Sequence, residues 1–414
     1  MHIPDSPELD RQLVDPVVWG DESRIHAYLA WLRANDPVRR LAPVGFEPFW
    51  AITKHADIKA IELEKTGFIN DPRPTLAPAM MTAIAQQAFG RRHVIRSLVQ
   101  MDDPDHARYR VLTQAWFMGA NLRKLQAKVD RLASKYVDRM LEFGGGCDFV
   151  KDVAIWYPLR VIMSILGVPE SDEPIMLKLT QELFGSSDPD VQRSFCPEDI
   201  FDVVRDFEAY FTQLTAQRRR HPQDDVASVI ANAQIDGLPI PELEANGYYA
   251  IIATAGHDTT SSSTAGGLLA LLENPQQMRL LQSDPDTYLP TMIDETIRWV
   301  TPVRHFMRTA TVDTQRRIKA GESVILWYPS ANRDEEVFAE PFAYRIDRRD
   351  GRHLAFGFGA HVCLGQHLAR MEMAALYRAL FARVKHIELA GEPLYTQSTF
   401  VGGLKSLPIR YSLA

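Results

Sequence analysis

Three things are scarce in this chain: cysteine, long apolar runs and surplus positive charge. Only Cys147, Cys196 and Cys363 occur. So few cysteines, odd in number, exclude a disulfide framework and fit a reducing compartment. Lys and Arg number 46 against 53 Asp and Glu, a net charge of −7, which argues against a dedicated nucleic-acid surface. The longest apolar patches, such as Tyr248–Ala255, are too short to span a bilayer. Residues Met1–Glu22 are polar and acidic and carry no signal-peptide core. A cytoplasmic protein with no membrane anchor is therefore expected. Internal repeats and low-complexity tracts are missing too, and His221–Asp225 reads as a charged connector rather than a domain linker.

What remains is a large globular chain. Its 414 residues are 46% hydrophobic and 24% charged, the balance of a soluble protein with a sizeable core. Length alone allows two or three domains. Helical periodicity dominates. It predicts helices over Ser23–Asn35, His55–Lys65, Asn121–Glu142, Asp152–Leu166, Ser171–Phe184, Glu198–Arg219 and Asp225–Ala233. The longest is expected over Leu243–Leu272, and another over Thr287–Val300. Strand patterns are fewer: a strand or hairpin in Val44–Thr53, a turn into a strand over Pro302–Thr311, and a strand over Ser323–Tyr328 after the turn Lys319–Glu322. A terminal hairpin is expected over Phe400–Ile409 with its turn near Gly403. Between Thr66 and Phe89 the pattern weakens around Pro72, Pro74 and Pro78 and reads as a long loop. The fold class is thus mainly α with a smaller β region.

Four short runs carry chemistry. Cys363 stands in Phe356-Gly357-Phe358-Gly359-Ala360-His361-Val362-Cys363-Leu364-Gly365, directly before a helix expected over Gln366–Leu380. Glycines leave room for backbone N–H groups to turn toward the sulfur and for something flat to lie against the loop. A helix N-terminus favours a thiolate. A nucleophile would want a basic partner and a soft-metal site more cysteines; a lone thiolate beside a plane suits axial ligation of haem iron. An inert structural thiol is the alternative. Ala255-Gly256-His257-Asp258-Thr259-Thr260 sits inside the longest helix. Its glycine costs about 1 kcal/mol relative to Ala, and Thr259, Thr260 and Ser261–Ser263 can bond back to carbonyls and open the ladder. A functional groove or a packed small-residue face would both use such a run. His106 and Arg110, four apart near a helix start at Pro104, could hold carboxylates or simply face solvent. Glu295 and Arg298, three apart, read alone as a solvated pair worth a few tenths of a kcal/mol.

Taken together these runs resemble the cytochrome P450 family. The haem-thiolate signature Phe-x-x-Gly-x-x-x-Cys-x-Gly is matched by Phe356, Gly359, Cys363 and Gly365. The family's Asp-x-Pro-x-His-x-x-x-Arg, Gly-x-Asp/Glu-Thr, Glu-x-x-Arg and Ala-Asn-Arg-Asp-x-x-x-Phe runs occur in the same order. The resemblance spans nearly the whole chain. It implies one domain over residues 1–414, with a small β-rich lobe built from N-terminal strands, residues 303–328 and C-terminal strands. It implies haem b (iron protoporphyrin IX) ligated by Cys363, with Ala255, Gly256, Phe356, Gly357 and Gly365 also at the cofactor. His106, Arg110, Arg308 and His361 would meet the haem propionates. Thr259 would stand beside bound oxygen, Asp258 would feed protons and Gly256 would make room for dioxygen, while His257 falls at a variable position without a role. Glu295, Arg298 and Arg348 would form a structural ion-pair network behind the cysteine loop.

The same resemblance implies a monooxygenase that takes O2 and electrons from a [2Fe-2S] ferredoxin and its NAD(P)H-dependent reductase. No room is expected for a fused redox domain, and a monomer is expected. Arg108, Arg349 and Arg352 lie near the haem-side motifs and form either a docking face or a solvated charge cluster. Residues 66–89 would cover the substrate. Pocket positions would include Met80, Met81 and Val99 from the early region and Tyr249 and Ala253 from the long helix. Val303, Phe306, Phe400 and Val401 would come from the strands and the C-terminal segment. Trp299–Val303, Phe306–Ala310, Ser330–Phe338 and Phe400–Gly403 look like the bacterial terpineol hydroxylase branch, with a departure at Arg304-His305. A monoterpenoid or alkyl-aromatic substrate is expected, a steroid-like one being the alternative within the class. A haem-thiolate sensor or electron carrier, and a haem-free helical binding protein, are the alternatives outside it.

Overall fold

The computed structural model describes residues 7–185, 187–193, 199–315 and 317–413. Cys196 and the expected helix start at Glu198 lie outside the described residues. Helices carry most of the fold, and one large apolar core runs from Leu98 to Tyr411. Its centre is the helix Trp156–Leu166, buried on almost every side. Against it pack the helices Gly119–Leu141, Glu242–Ala255 and Asp258–Glu273, and Gln366–Phe381 packs in turn on Gly119–Leu141. Local chemistry sets several helix ends. Asp21, Asp225 and Asp284 cap the helices that follow them, each accepting a backbone N–H two or three residues into the first turn. None of the described helices is long and apolar enough to cross a membrane.

A five-stranded sheet forms a second, smaller layer. Its spatial order is Val38–Leu41, Phe49–Ile52, Ser323–Trp327, His305–Ala310 and Phe68–Ile69. Only the pair Phe49–Ile52 with Ser323–Trp327 is parallel. The central strands are apolar on both faces, because separate clusters around Trp19–Trp327 and around Ile58–Leu326 cover them.

The C-terminal strands do not join this lobe as expected. Pro408–Leu413 pairs with Gly146–Asp148 and Val384–Leu389 in a separate three-stranded sheet. Nor is there a hairpin turn at Gly403. Leu404–Ser406 pairs back to Leu394–Tyr395, and an isolated bridge Val303–Val401 joins the segment between them to the rest of the fold. The expected loop over 66–89 holds the helix Ala79–Phe89, ended by Gly90 in the left-handed region. Met80, Met81 and Ala85 gave the sequence an apolar face there, masked by the prolines before it. The long helix expected over Leu243–Leu272 is two helices, Glu242–Ala255 and Asp258–Glu273, which leaves Gly119–Leu141 as the longest described helix.

Candidate active site

The cysteine loop is held by its own backbone. The Cys363 N–H donates to the Phe356 carbonyl at 2.9 Å, and the Gly357 N–H to the Leu354 carbonyl at 2.9 Å. Gly359 has φ +71, and a Cβ there would lie 2.5 Å from the Glu62 carbonyl oxygen; only glycine allows the loop to press so closely on the helix His55–Leu63. Burial pushes the Cys363 thiol above its ordinary pKa. The N–H groups of Gly365 and Gln366 and the charges of Arg110 and Arg370 work against that. Around Gly365 the space is open, with nothing within 4 Å of where its Cβ would be.

Across the cavity the helix breaks between Ala255 and Asp258. The Ala255 carbonyl, which in a continuous helix takes the N–H four residues on, accepts the Thr259 hydroxyl at 2.8 Å. A Cβ on Gly256 would stand 2.6 Å from Ile162 Cγ1, so glycine lets the broken segment seat on the central helix. That is a packing demand in addition to the room the family pattern implies. Thr259, Ala255 and Gly256 line the cavity; Asp258 does not. Asp258 instead faces His257, its Oδ1 lying 3.1 Å from Nδ1. His257 is fully buried, with Thr180 Oγ1 3.4 Å from the same nitrogen. Asp258 Oδ2 and His257 Nε2 are buried without hydrogen-bond partners. The sequence pattern gave His257 no role; its contact with Asp258 shows only in three dimensions.

Four basic side chains meet at one edge of the cavity. His106 and His361 stack with ring centroids 3.8 Å apart. Arg110 Nη2 donates to the Val362 carbonyl at 2.7 Å, and Arg308 Nη1 to the Met307 carbonyl at 2.8 Å. All four line the cavity. Burial, with Arg110 next in weight, lowers the pKa of His106. Burial, then His106, Arg308 and Arg110, drives that of His361 down to about 2. Both imidazoles are therefore neutral, while two guanidinium groups sit beside them in a desolvated corner. His106 Nε2 is buried without a partner. Two further residues that the motifs did not mark belong to this corner. Asn70 Nδ2 donates to His361 Nε2 and to Asp102 Oδ1, both at 2.8 Å. Glu62 Oε1 accepts from Tyr328 at 2.7 Å and lies 3.7 Å from Arg308, and burial raises its pKa to about 7.

Behind the loop, Glu295, Arg298 and Arg348 form one knot. Arg298 donates to both Glu295 oxygens at 2.7 and 2.8 Å, and Arg348 Nε to Glu295 Oε2 at 3.0 Å. Arg298 also donates to the Asn332 and Pro341 carbonyls, and Arg348 to those of Ala339, Glu340 and Ala343. Asn332 Oδ1 in turn accepts the Leu354 N–H at 2.6 Å, and Leu354 holds Gly357. The knot thus reaches the cysteine loop through one asparagine.

The cavity measures about 800 Å³ and reaches from Cys363 to the loop at 72–78. Met80, Met81, Val99, Val303, Phe306, Phe400 and Val401 line it; Tyr249 and Ala253 do not. On the helix Glu242–Ala255 the cavity face carries Ala250, Ile251, Thr254 and Ala255. Tyr249 and Ala253 sit on the neighbouring face, wholly buried. The Tyr249 ring stacks on Phe211 at 4.8 Å, and its hydroxyl donates to the Ala227 carbonyl. Arg108 and Arg352 pair with Asp236 and Asp350, so they are less free as a docking face than the sequence suggested.

A family model described as Cytochrome P450 matches residues 198–410. Cytochrome P450-terp of a Pseudomonas species is 44% identical over 420 aligned residues, covering 98% of this chain and 97% of that protein. This chain belongs to the cytochrome P450 family. Among solved structures, CYP108D1 from Novosphingobium aromaticivorans matches with TM-score 0.92 and 44% identity over 100% of both chains. Mycobacterium marinum CYP268A2, in complex with pseudoionone, matches with TM-score 0.88 and 30% identity over 99% of both. The chain is therefore a cytochrome P450 monooxygenase, an oxidoreductase that incorporates one oxygen atom and works with O2 and redox partners.

The family implies a haem-thiolate cofactor, and the residues present fit one. Cys363 is half-buried and lines the cavity, space lies open over Gly365, and His106 Nε2 in the basic corner is buried without a partner, a donor set that suits an acidic group.

Proposed function

We propose that this cytochrome P450 hydroxylates a small hydrophobic substrate, a monoterpenoid or an alkyl-aromatic of that size. It would act in the cytoplasm with haem b, O2 and electrons from a [2Fe-2S] ferredoxin reduced by an NAD(P)H-dependent reductase. One observation carries the reading: Val99, Val303, Phe306, Phe400 and Val401 line the cavity that Cys363 also lines, and of the lining arginines only Arg110 and Arg308 stand at the His106–His361 corner, Arg73 and Arg92 being paired with Glu47 and Arg193 with Glu182. The CYP268A2 structure holds pseudoionone, an unsaturated ketone of terpenoid skeleton, which supports the substrate class.

In this reading Cys363 would hold the haem iron as a thiolate, giving up its proton against the burial that raises its pKa. His106, Arg110, Arg308 and His361 take the acidic side chains of the cofactor. Haem, when bound, supplies activation of O2 and oxidation of a C–H bond. The chain supplies orientation, dryness and protons. Thr259 holds its hydroxyl at the cavity wall on the Ala255 carbonyl and can turn it inward as a donor. Asp258 waits behind the wall and resupplies that proton, with His257 keeping its carboxylate in place. Apolar side chains exclude bulk water and orient the substrate by shape.

The test is the absorption spectrum of the reduced, carbon monoxide-bound protein, followed by titration with terpineol. A Soret band at the thiolate-haem position and a low-to-high spin shift are expected. A thiolate band with no response to terpineol removes the substrate class. A response to a steroid alone moves it to a bulkier ligand. A protein without the thiolate band overturns the role of Cys363.

A further inference from the structure

Arg304-His305 is where the sequence departs from the branch it otherwise resembles, and His305 sits where two walls of the cavity meet. It opens the strand His305–Ala310 and is 0% exposed. Its Nε2 accepts the Leu76 N–H at 3.0 Å, and its Nδ1 donates to the Thr399 carbonyl at 2.9 Å. Leu76 belongs to the loop at one end of the cavity, and Thr399 precedes Phe400 in the C-terminal segment on another; all three line the cavity, and His305 does not. The His305 ring also lies against Phe400 and Trp327, at 5.4 and 5.2 Å between centroids.

The bonds around it extend the same join. Met307 N–H donates to the Pro74 carbonyl and Arg304 N–H to the Phe400 carbonyl, both at 2.8 Å. The Arg304 guanidinium donates to the Ser398 carbonyl, and to that of Trp19 at 3.0 Å. Only a neutral imidazole with its proton on Nδ1 can accept from one loop and donate to the other. Burial keeps the imidazole neutral, driving the His305 pKa down to about 3, and the two partners set the tautomer.

We propose that His305 is a specificity-determining positioning residue. By bonding Leu76 and Thr399 at once it fixes the gap between Leu76 and Phe400, and so sets the largest ligand the cavity accepts. This rests on the reading that the cavity is the substrate pocket. It adds what limits ligand size there.

The test uses the haem-loaded protein and two iron-binding probes, imidazole and a biphenyl-substituted imidazole, followed by their Soret shifts. His305→Phe keeps a planar aromatic ring, slightly larger, but loses both hydrogen bonds. It is expected to shift the affinity ratio toward the biphenyl probe by about tenfold, with the carbon monoxide band at the thiolate position. His305→Gln, which keeps a donor and an acceptor, is expected to return part of the ratio. A ratio in His305→Phe that matches the wild type within error overturns the proposal, as does a parallel loss for both probes. Failure of both variants to load haem also overturns it, because the residue would then serve the fold as a whole. Terpineol titration of the wild type stands apart: its failure removes the terpenoid reading and leaves the probe ratio to report on His305.

Discussion

Two charge clusters flank the cysteine loop, and they are finished to different degrees. Glu295 has both oxygens doubly engaged, by Arg298, by Arg348 and by the Arg345 N–H. On the other side, His106 and Glu372, which line the cavity, each keep a buried polar atom without a hydrogen-bond partner, as do Glu62, His257 and Asp258, which do not line it but neighbour residues that do. Buried polar groups are ordinarily satisfied. A cluster that is complete belongs to the fold. One that is incomplete next to a cavity is set for something that arrives: a cofactor edge, a water or a proton.

The comparison breaks most sharply if the complete cluster proves dispensable. Glu295→Ala strands Arg298 and Arg348 in a dry interior, and removing one partner of a buried pair costs about 3–5 kcal/mol. The variant is expected to unfold at much lower denaturant and to purify with little haem, read by denaturation and by haem content. Near-normal stability would show that the knot is ornamental.

Glu62 sharpens the contrast, being a buried carboxyl with one oxygen bonded and one not. Burial, only partly offset by Arg308 and Tyr328, raises its folded pKa to about 7 from an ordinary 4.5. Between those values the fold keeps a proton that the unfolded chain has released. Stability therefore falls as pH rises through this window, by on the order of 3 kcal/mol in total, and levels off above it. Glu62→Gln should remove that slope, measured by denaturation at pH 5 and pH 8. An unchanged slope would place the titration elsewhere.

On the oxygen side the expectation is chemical rather than structural. Thr259→Val keeps the shape of the wall and removes the hydroxyl. Product formation is expected to drop by at least about 10²-fold, the lower end for a positioned proton donor, with denaturation unchanged. Asp258→Asn should follow in direction. If either variant lost stability as Glu295→Ala does, the break would be a structural joint.

How far these clusters were legible depends on how local they are. The cysteine loop, the residues able to open the helix ladder near Gly256 and the Glu295–Arg298 spacing lie within a few residues, so sequence could show them, though not that the helix divides in two. Contacts across the chain could not be read that way. Asn70 meets His361 across 291 residues, and Tyr328 meets Glu62 across 266. Helix phase was the other weak point. In Glu242–Ala255 nearly every face is apolar, so periodicity could not tell the cavity face from the one holding Tyr249 and Ala253. Pairing of the last strands was equally hidden, because a strand's pattern does not name its partner.

The smallest effect is expected where arginine and aspartate meet in water. Arg352 and Asp350 pair in the same chemical way as Arg298 and Glu295, but Arg352 is 63% exposed and Arg298 1%. Solvent screens the exposed pair, so its loss leaves no stranded charge. Arg352→Ala and Arg108→Ala, singly or together, should leave stability unchanged within error. They should also change reduction by a redox partner only slightly, since Asp350 and Asp236 already occupy the two guanidinium groups. Reduction kinetics at low and high salt decide the second point. A large, salt-sensitive loss of rate with intact stability would mean that a partner's carboxylates displace these aspartates, and the pairs would then resemble the unfinished cluster rather than the finished one.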